Sequence, residues 1–308
     1  MKKSVKKVKL SIVILSLNTK DLLEKCLVSL TKVAGEVNFE VIVVDNGSTD
    51  GSIEMLRNFQ FSIFNFQIIQ NGENLGFAAG NNRARSIVNG EYILFLNSDT
   101  EVYKGTLAAT VGYLDEHNDV GAVTCRTVLP DGRDDKDARR SFPTPWVALA
   151  HFLYLDRVFP KSGIFARYWY GYEPANKEHD IDVLQGAYCM IRTSLMNKIG
   201  WFDEDYFLDG EDIDLCWKIR EAGYRIVYYP KVKILHIKGA TKGKQNARKN
   251  VRLEERLRYV TRGVESMRIF YKKHLWDRYP VFVNWFMMVA IEAKKLQRIV
   301  KVYLDYLI

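Results

Sequence analysis

The chain has 308 residues, of which 47% are hydrophobic and 27% charged. That is ordinary for a globular protein, leaves room for one α/β domain with an appendage, and excludes disorder throughout. The formal net charge of +8 gathers at the ends, at Lys2, Lys3, Lys6, Lys7 and Lys9 and again after Lys238, which points to a membrane surface or a polyanionic ligand and away from nucleic acid.

Residues 10–17 (LSIVILSL) form an apolar run closed by Asn18 and Thr19, the pattern of a strand buried on both faces. The run lacks a small-residue cleavage site, so it reads as a first strand and not as a signal peptide. No apolar segment reaches the roughly 18–20 residues that span a bilayer. A helix opens at Asp21, with Leu23, Cys26, Leu27 and Leu30 at helical spacing. Residues 40–52 (EVIVVDNGSTDGS) then give a second buried strand that stops at Asp45 and enters a cluster of turn formers. Open α/β sheets bind ligands outside the carboxyl ends of their strands. Asp45 is therefore placed to hold a ligand's hydroxyl or imide N–H, or only to cap the turn.

A short helix over 52–59 and a strand over 66–70 follow. In NGENLGFAAGNN (71–82), Gly76 and Gly80 allow close backbone approach, and a helix continues over 83–88. Residues 92–96 (YILFL) are another buried strand, ending in Asn97, Ser98, Asp99, Thr100 and Glu101. A helix over 105–117 and a strand over 121–126 complete this half. The alternation predicts a doubly wound α/β sheet. The texture changes over 126–181, which is rich in aromatic residues and lacks βα rhythm; it reads as a partly helical, substrate-facing insertion. Order resumes at 183–193, then a helix with a turn at Gly200, then Phe207 to Asp214 leading into a helix that ends at Gly223. A strand over 225–229 precedes Pro230, and Val232, Ile234 and His236 fall on one side of a further extended segment. The four cysteines are widely spaced with no C-x-x-C pair, so a reducing compartment fits better than a zinc site or a disulfide framework.

Three groups carry chemistry. Glu211, Asp212 and Asp214 stand in the first turn of a helix, where the dipole alone explains acidic residues; a carboxylate there that lines a cleft acts as general base on a hydroxyl. Asp99, flanked by Asn97 and Glu101, offers oxygen ligands suited to Mg²⁺ or Mn²⁺. His236 is a lone histidine at a strand end, more often structural than a ligand. After it, Lys238, Lys242, Lys244, Arg248 and Lys249 form a glycine-bearing basic loop, either a solvated surface or a mobile cover that meets phosphates.

Taken together, SIVILSLN, VIVVDNGSTDGS, NLGFAAGNN, YILFLNSD, QGAYCMIR, GWFDEDYF and GEDIDLCWKIREAGYRI, in that order, resemble the inverting family 2 glycosyltransferases of the GT-A fold, in particular their rhamnosyltransferase-like branch. The resemblance runs from about residue 10 to 240. It implies a GT-A domain over 1–250, a mixed doubly wound sheet, with 126–181 facing the acceptor and a helical extension over 251–308. It further implies that Asp45 reads the base of a nucleotide-sugar donor, and that Leu17, Asn18, Gly76, Asn82, Asn97, Ser98 and Lys242 border that donor. Asp99 matches the last acidic position of the family's D-x-D metal motif, with Asn97 at the first, and His236 completes the site for Mg²⁺ or Mn²⁺. Asp212 matches the catalytic base, with Glu211 beside it. Arg139, Arg140 and Trp201 fall to the acceptor, a saccharide or a lipid-linked saccharide in cell-surface polysaccharide synthesis. The activity implied is that of a hexosyltransferase. The ARRSFPTP segment favours deoxythymidine diphosphate rhamnose as donor, while UDP-hexoses and UDP-N-acetylhexosamines fit the core motifs equally well.

Rival classes are less consistent with the residues. A glycoside hydrolase would leave Asp45 and Asp99 idle, a sugar nucleotidyltransferase expects a glycine-rich loop after the first strand, and a dehydrogenase expects G-x-G-x-x-G. In the tail, 253–275 reads as a basic helix, Pro280 breaks it, and 281–291 (VFVNWFMMVAI) is almost wholly apolar before Lys294, Lys295, Arg298 and Lys301. Two placements stay open: a hairpin packed on the domain or a second subunit, and a helix lying in a membrane interface. The expected location is cytoplasmic, with the second placement putting the protein on the inner face of the cell membrane.

Overall fold

The apolar runs fold into strands that are covered on both sides. In the computed structural model, which describes residues 7–59, 64–238 and 253–307, β1 (Leu10–Ser16) is followed by α1 (Lys20–Lys32), β2 (Phe39–Asp45) by α2 (Ser52–Asn58), and β3 (Asn65–Gln70) by α3 (Phe77–Asn82). Every residue of β2 is buried. Next come β4 (Tyr92–Leu96), β5 (Thr100–Val102), α4 (Thr106–Glu116) and β6 (Val120–Val128). The later chain adds α5 (Pro145–Phe152), α6 (Leu155–Val158), β7 (His179–Asp180), β8 (Tyr188–Arg192), α7 (Thr193–Ile199), α8 (Glu211–Glu221) and β9 (Arg225–His236). Two helices, α9 (Leu253–Phe270) and α10 (Val281–Leu307), close the described chain.

The sheet order is β3-β2-β1-β4-β8-β6-β9-β5, with β7 on β9. The first four strands are parallel, β8 runs antiparallel to both neighbours, and β9 returns to the common direction beside β6. Consequently the carboxyl ends of β1, β2, β4, β6 and β9 and the amino end of β8 share one edge. Alternate side chains divide between two cores. Ile12, Ile14, Val41, Val43 and Leu94 pack with Leu23, Leu27 and Leu30 of α1 and Leu107 and Leu114 of α4. Val13, Ile42, Val44, Ile93 and Phe95 pack with Leu195, Met196, Leu215 and Ile219 of α7 and α8.

The structure departs from the sequence reading at particular places. The helix expected to run on through 83–88 begins at Phe77 and gives way to a 3-10 turn over Arg83–Ser86. The three-residue strand β5 was not anticipated, because a polar strand end masks it. Pro230 does not end β9: it sits in a bulge, Cys125 pairing with Tyr229 and Arg126 with Lys233. The helix expected to 275 is α-helical to Phe270 and turns π-helical over Tyr271–Leu275.

The C-terminal helices pack on the domain. Val264, Phe270, Tyr271, Met287 and Ile291 form a third core with Tyr206 and with Trp217 of α8. His274 Nε2 meets Asp214 Oδ1 at 2.6 Å, and the Arg262 guanidinium lies 3.6 Å above the centre of the Phe207 ring. The opposite face of α10 shows Phe282, Trp285, Phe286, Val289, Leu296 and Val300 to solvent, a stripe at i, i+3, i+4 and i+7 spacing that continues well past residue 291. None of the described helices is long and apolar enough to cross a membrane.

Trp201, assigned above to the acceptor, is fully buried. Its ring packs edge-on against Phe95, and Nε1 donates to Asn197 Oδ1 at 2.9 Å; no face remains for a sugar, so it is a core residue. Trp201→Ala is expected to cost about 3–5 kcal/mol of stability in urea unfolding. A normal unfolding midpoint with weakened acceptor binding would contradict the core placement.

Candidate active site

The shared strand edge opens into a cavity of about 700 Å³. Leu17, Asn97, Ser98 and Asp99 wall it from β1 and β4, Asp137 and Arg140 from the segment after β6, and Gln185 to Ala187 from before β8. Phe207 to Asp209, Glu211 and Asp212 close it from α8, and His236 and Lys238 from β9.

Asp45, at the end of β2, caps the turn and is absent from the cavity lining. Its Oδ2 accepts from the backbone N–H groups of Gly47 at 3.1 Å and Ser48 at 3.0 Å, capping the turn. Its Oδ1 is buried and accepts no hydrogen bond among the described residues, which leaves it for a donor on a ligand. Asn18 has φ +51 and is exposed; its Oδ1 accepts from Thr49 N at 2.8 Å, tying the end of β1 to the loop after β2. Ser98 Oγ accepts from Thr19 Oγ1 at 3.0 Å. At Gly76, with φ +84, a Cβ would stand 2.4 Å from the Phe207 carbonyl, and the next N–H, of Phe77, donates to that oxygen at 2.9 Å. Only glycine permits this contact, which fixes the Phe207 loop against the start of α3.

Asn82 is not on the cavity wall. Its amide nitrogen donates to Phe202 O at 3.0 Å and Glu204 Oε1 at 2.9 Å, so it braces the 202–204 turn from behind. Lys242 lies outside the described residues.

Asp99 and His236 come together through the sheet. The antiparallel pairing of β5 with β9 sets His236 opposite Thr100, and Ile237 N donates to Asp99 O at 2.9 Å. His236 Nε2 then stands 3.3 Å from Asp99 Oδ1, and both carboxylate oxygens of Asp99 are buried without a hydrogen bond. Two orphaned anionic oxygens beside an imidazole nitrogen fit a divalent cation. Among the described residues no group of three or more His, Cys, Asp or Glu side chains could hold a metal. A cation here would therefore take one carboxylate and one imidazole, and complete its shell with phosphate and water, as Mg²⁺ and Mn²⁺ commonly do.

One residue at this end was missed. Asp135, 4% exposed, has Oδ2 3.1 Å from His236 Nδ1 and Oδ1 2.7 Å from Lys238 Nζ. Burial opposes charge on both groups. The hydrogen bond with Asp135 and the neighbouring Asp99 charge nevertheless raise His236 to about 9, and the hydrogen bonds from His236 and Lys238 lower Asp135 to about 2. The available signal was position: DGRDDKD follows the carboxyl end of β6 as Asp45 and Asp99 follow theirs.

Asp212 faces the cavity from the first turn of α8, with Oδ1 accepting from Ile213 N at 2.8 Å and Oδ2 held by Arg140. Arg140 also donates to Asp137 O and Leu184 O, each at 3.2 Å, and its burial is outweighed by the Asp212 charge, so its pKa is raised. Arg140, expected at the acceptor, lines the cavity and forms an ion pair with the expected base. Arg139 points elsewhere, donating to Glu173 O at 2.9 Å and lying over the Tyr228 ring; it does not line the cavity. Glu211 is buried on the wall. The four cysteines are free and buried, and burial pushes the Cys26 thiol up to about 12. Of the 126–181 segment, residues 129–140 reach the cavity, whereas the exposed aromatics Trp146, Phe152 and Phe159 are absent from its lining.

A mixed sheet with a nucleotide-type strand edge, a carboxylate–imidazole pair and an acidic helix start define a GT-A transferase architecture. Residues 11–200 match the family described as glycosyl transferase family 2, and the chain belongs to that family. Among its relatives is the N-acetylglucosaminyl-diphospho-decaprenol L-rhamnosyltransferase of Mycobacterium tuberculosis (strain ATCC 25618 / H37Rv), 27% identical over 238 residues that cover 73% of this chain and 75% of that protein. Another is the uncharacterized protein y4gI of Sinorhizobium fredii, 26% identical over 239 residues; the match covers 77% of this chain and spans 24% of that much longer protein. Among solved structures, the mannosyltransferase PcManGT from Pyrobaculum calidifontis, in complex with GDP-Man and Mn²⁺, superposes with a TM-score of 0.58 at 19% identity, covering 87% of this chain and 65% of that one.

Proposed function

We propose that the protein is an inverting glycosyltransferase that moves L-rhamnose from deoxythymidine diphosphate rhamnose to a saccharide or lipid-linked saccharide in cell-envelope polysaccharide synthesis. The observation that carries the reading is one cavity walled at one end by Asp99 and His236 and at the other by Asp212. The rhamnose assignment is supported by the mycobacterial relative's name; a UDP-hexose or UDP-N-acetylhexosamine donor would use the same residues.

In this reading Asp45 Oδ1 accepts the imide N–H of the base, and the Leu17 and Gly76 surfaces border the nucleotide. Asp99 and His236 hold Mg²⁺ or Mn²⁺, which when bound supplies positive charge against the donor's diphosphate. Asp212 accepts the proton of an acceptor hydroxyl as that oxygen bonds to the anomeric carbon and the carbon's bond to the diphosphate oxygen breaks. Attack from the face opposite the leaving group inverts the centre. Arg140 and the Ile213 N–H hold the two Asp212 oxygens in fixed directions, so the base is oriented before the acceptor arrives. Glu211 stands beside it in the same turn.

We place the α10 stripe on an anionic membrane surface, on the inner face of the cell membrane, where a lipid-linked acceptor would be met. Aromatic and aliphatic side chains facing solvent, with Lys294, Lys295, Arg298 and Lys301 on the same helix, are the composition of a helix that lies in an interface. The alternative occupant is the same stripe of a second copy.

Two measurements test the reading. Deoxythymidine and uridine diphosphate sugars are offered side by side, with and without EDTA. Asp212→Asn is expected to lower transfer about 10²–10⁴-fold while donor binding stays near wild type; surviving transfer would remove Asp212 as the base. For the surface, the full chain should float with anionic vesicles, and a variant with Phe282, Trp285 and Phe286 all changed to Ser should not. Equal flotation would exclude the stripe, and a change from dimer to monomer in the variant would favour the second copy.

A further inference from the structure

Asp135 is a buried carboxylate that the reaction above leaves unused. It comes from the return after β6, where Val128 and Asp134 form an isolated bridge and Asp135 N donates to Thr127 O at 2.9 Å. Its Oδ1 is held by Lys238 Nζ at 2.7 Å and by Asp137 N at 3.1 Å, which leaves Oδ2 directed at His236 Nδ1, 3.1 Å away. A neutral imidazole carries one N–H and one lone pair. When a cation displaces one ring proton, the fixed carboxylate beside Nδ1 keeps the remaining N–H on that nitrogen and leaves the lone pair on Nε2, the nitrogen 3.3 Å from Asp99 Oδ1.

We propose that Asp135 is a positioning residue for His236, setting the tautomer and ring orientation that present Nε2, beside Asp99, to a divalent cation. This rests on the cation reading given under the proposed function. The side-chain amine of Lys238 balances the second buried carboxylate, so Asp135 can hold the ring without competing with Asp99 for the cation. Carboxylates behind metal-bound imidazoles are commonly worth about 10–100-fold in metal affinity.

The test is titration of Mn²⁺ alone into the full chain after EDTA dialysis, followed by calorimetry and by the Mn²⁺ electron-spin signal, with unfolding midpoints measured in parallel. Asp135→Ala is expected to weaken Mn²⁺ binding about 10–100-fold. Asp135→Asn keeps an acceptor for the Nδ1 proton but loses the charge, so it should fall between Ala and wild type. That graded order, at similar unfolding midpoints for Asn and wild type, is what a merely structural role would not give. If Asp135→Ala does not fold, a several-fold loss in the Asn variant still carries the proposal. If His236→Ala loses Mn²⁺ while the Asp135 variants bind it as wild type does, the positioning role is overturned and the cation site stands. If wild type binds no Mn²⁺, the cation reading itself fails and the role of Asp135 goes with it.

Discussion

The meeting of Asp99 with His236 depends on one backbone pairing, that of β5 with β9. Thr100–Val102 is a short strand at the sheet edge, and its antiparallel pairing with the end of β9 is what sets His236 beside Asp99. Neither side chain is held there by its own neighbours in sequence. Three ladder positions, Thr100 with His236, Glu101 with Leu235 and Val102 with Ile234, bring a carboxylate from the first third of the chain to an imidazole from the last third. Val102 and Ile234 of that ladder are buried in the core under α1 and α4, so hydrophobic packing fixes a polar geometry.

A second connection runs along the cavity floor. The chain from Asp134 to Arg140 touches the imidazole through Asp135, the Lys238 amine through Asp137, and the α8 carboxylate through Arg140. One end is tied to β6 by the bridge from Val128 to Asp134, the other to the segment before β8 by the bridge from Arg140 to Val183. The two ends of the site are thus spaced by one short, well-anchored segment. On the other side, Gly76 against the Phe207 carbonyl and Arg262 over the Phe207 ring join the start of α3, the α8 entry loop and the C-terminal hairpin.

What could be read in the sequence follows from which forces are local. Strands buried on both faces announce themselves as unbroken apolar runs, so β1, β2 and β4 were legible almost residue for residue, and so were the polar residues at their ends. β5 was not, because a strand that delivers Asp99 and pairs only at the edge has no apolar run of its own. Trp201 was misread because a tryptophan inside a polar, acidic motif resembles a sugar platform, whereas its burial depends on Phe95, far away in sequence. Asp135 was passed over despite its position after β6: DGRDDKD has the composition of a solvated turn, and the fold is what encloses one of its carboxylates. Arg140 was recognised as part of the site but its pairing with Asp212 was not, since ion pairing across the cavity has no sequence spacing to betray it.

The bulge at Pro230 has a consequence for how β9 can change. Before it, Val227 and Tyr229 face the core beneath α1 and α4; after it, Val232 and Ile234 face that same core. The odd-numbered residues hand over to the even-numbered ones, so the bulge works as a parity switch in a strand whose side chains alternate. His236 inherits its direction from that switch. Substitutions at Lys231 or Val232 leave the count intact, but losing or gaining a single residue there would turn the imidazole through the sheet and away from Asp99. At this point of the chain, length is the inherited quantity and residue identity is the freer one.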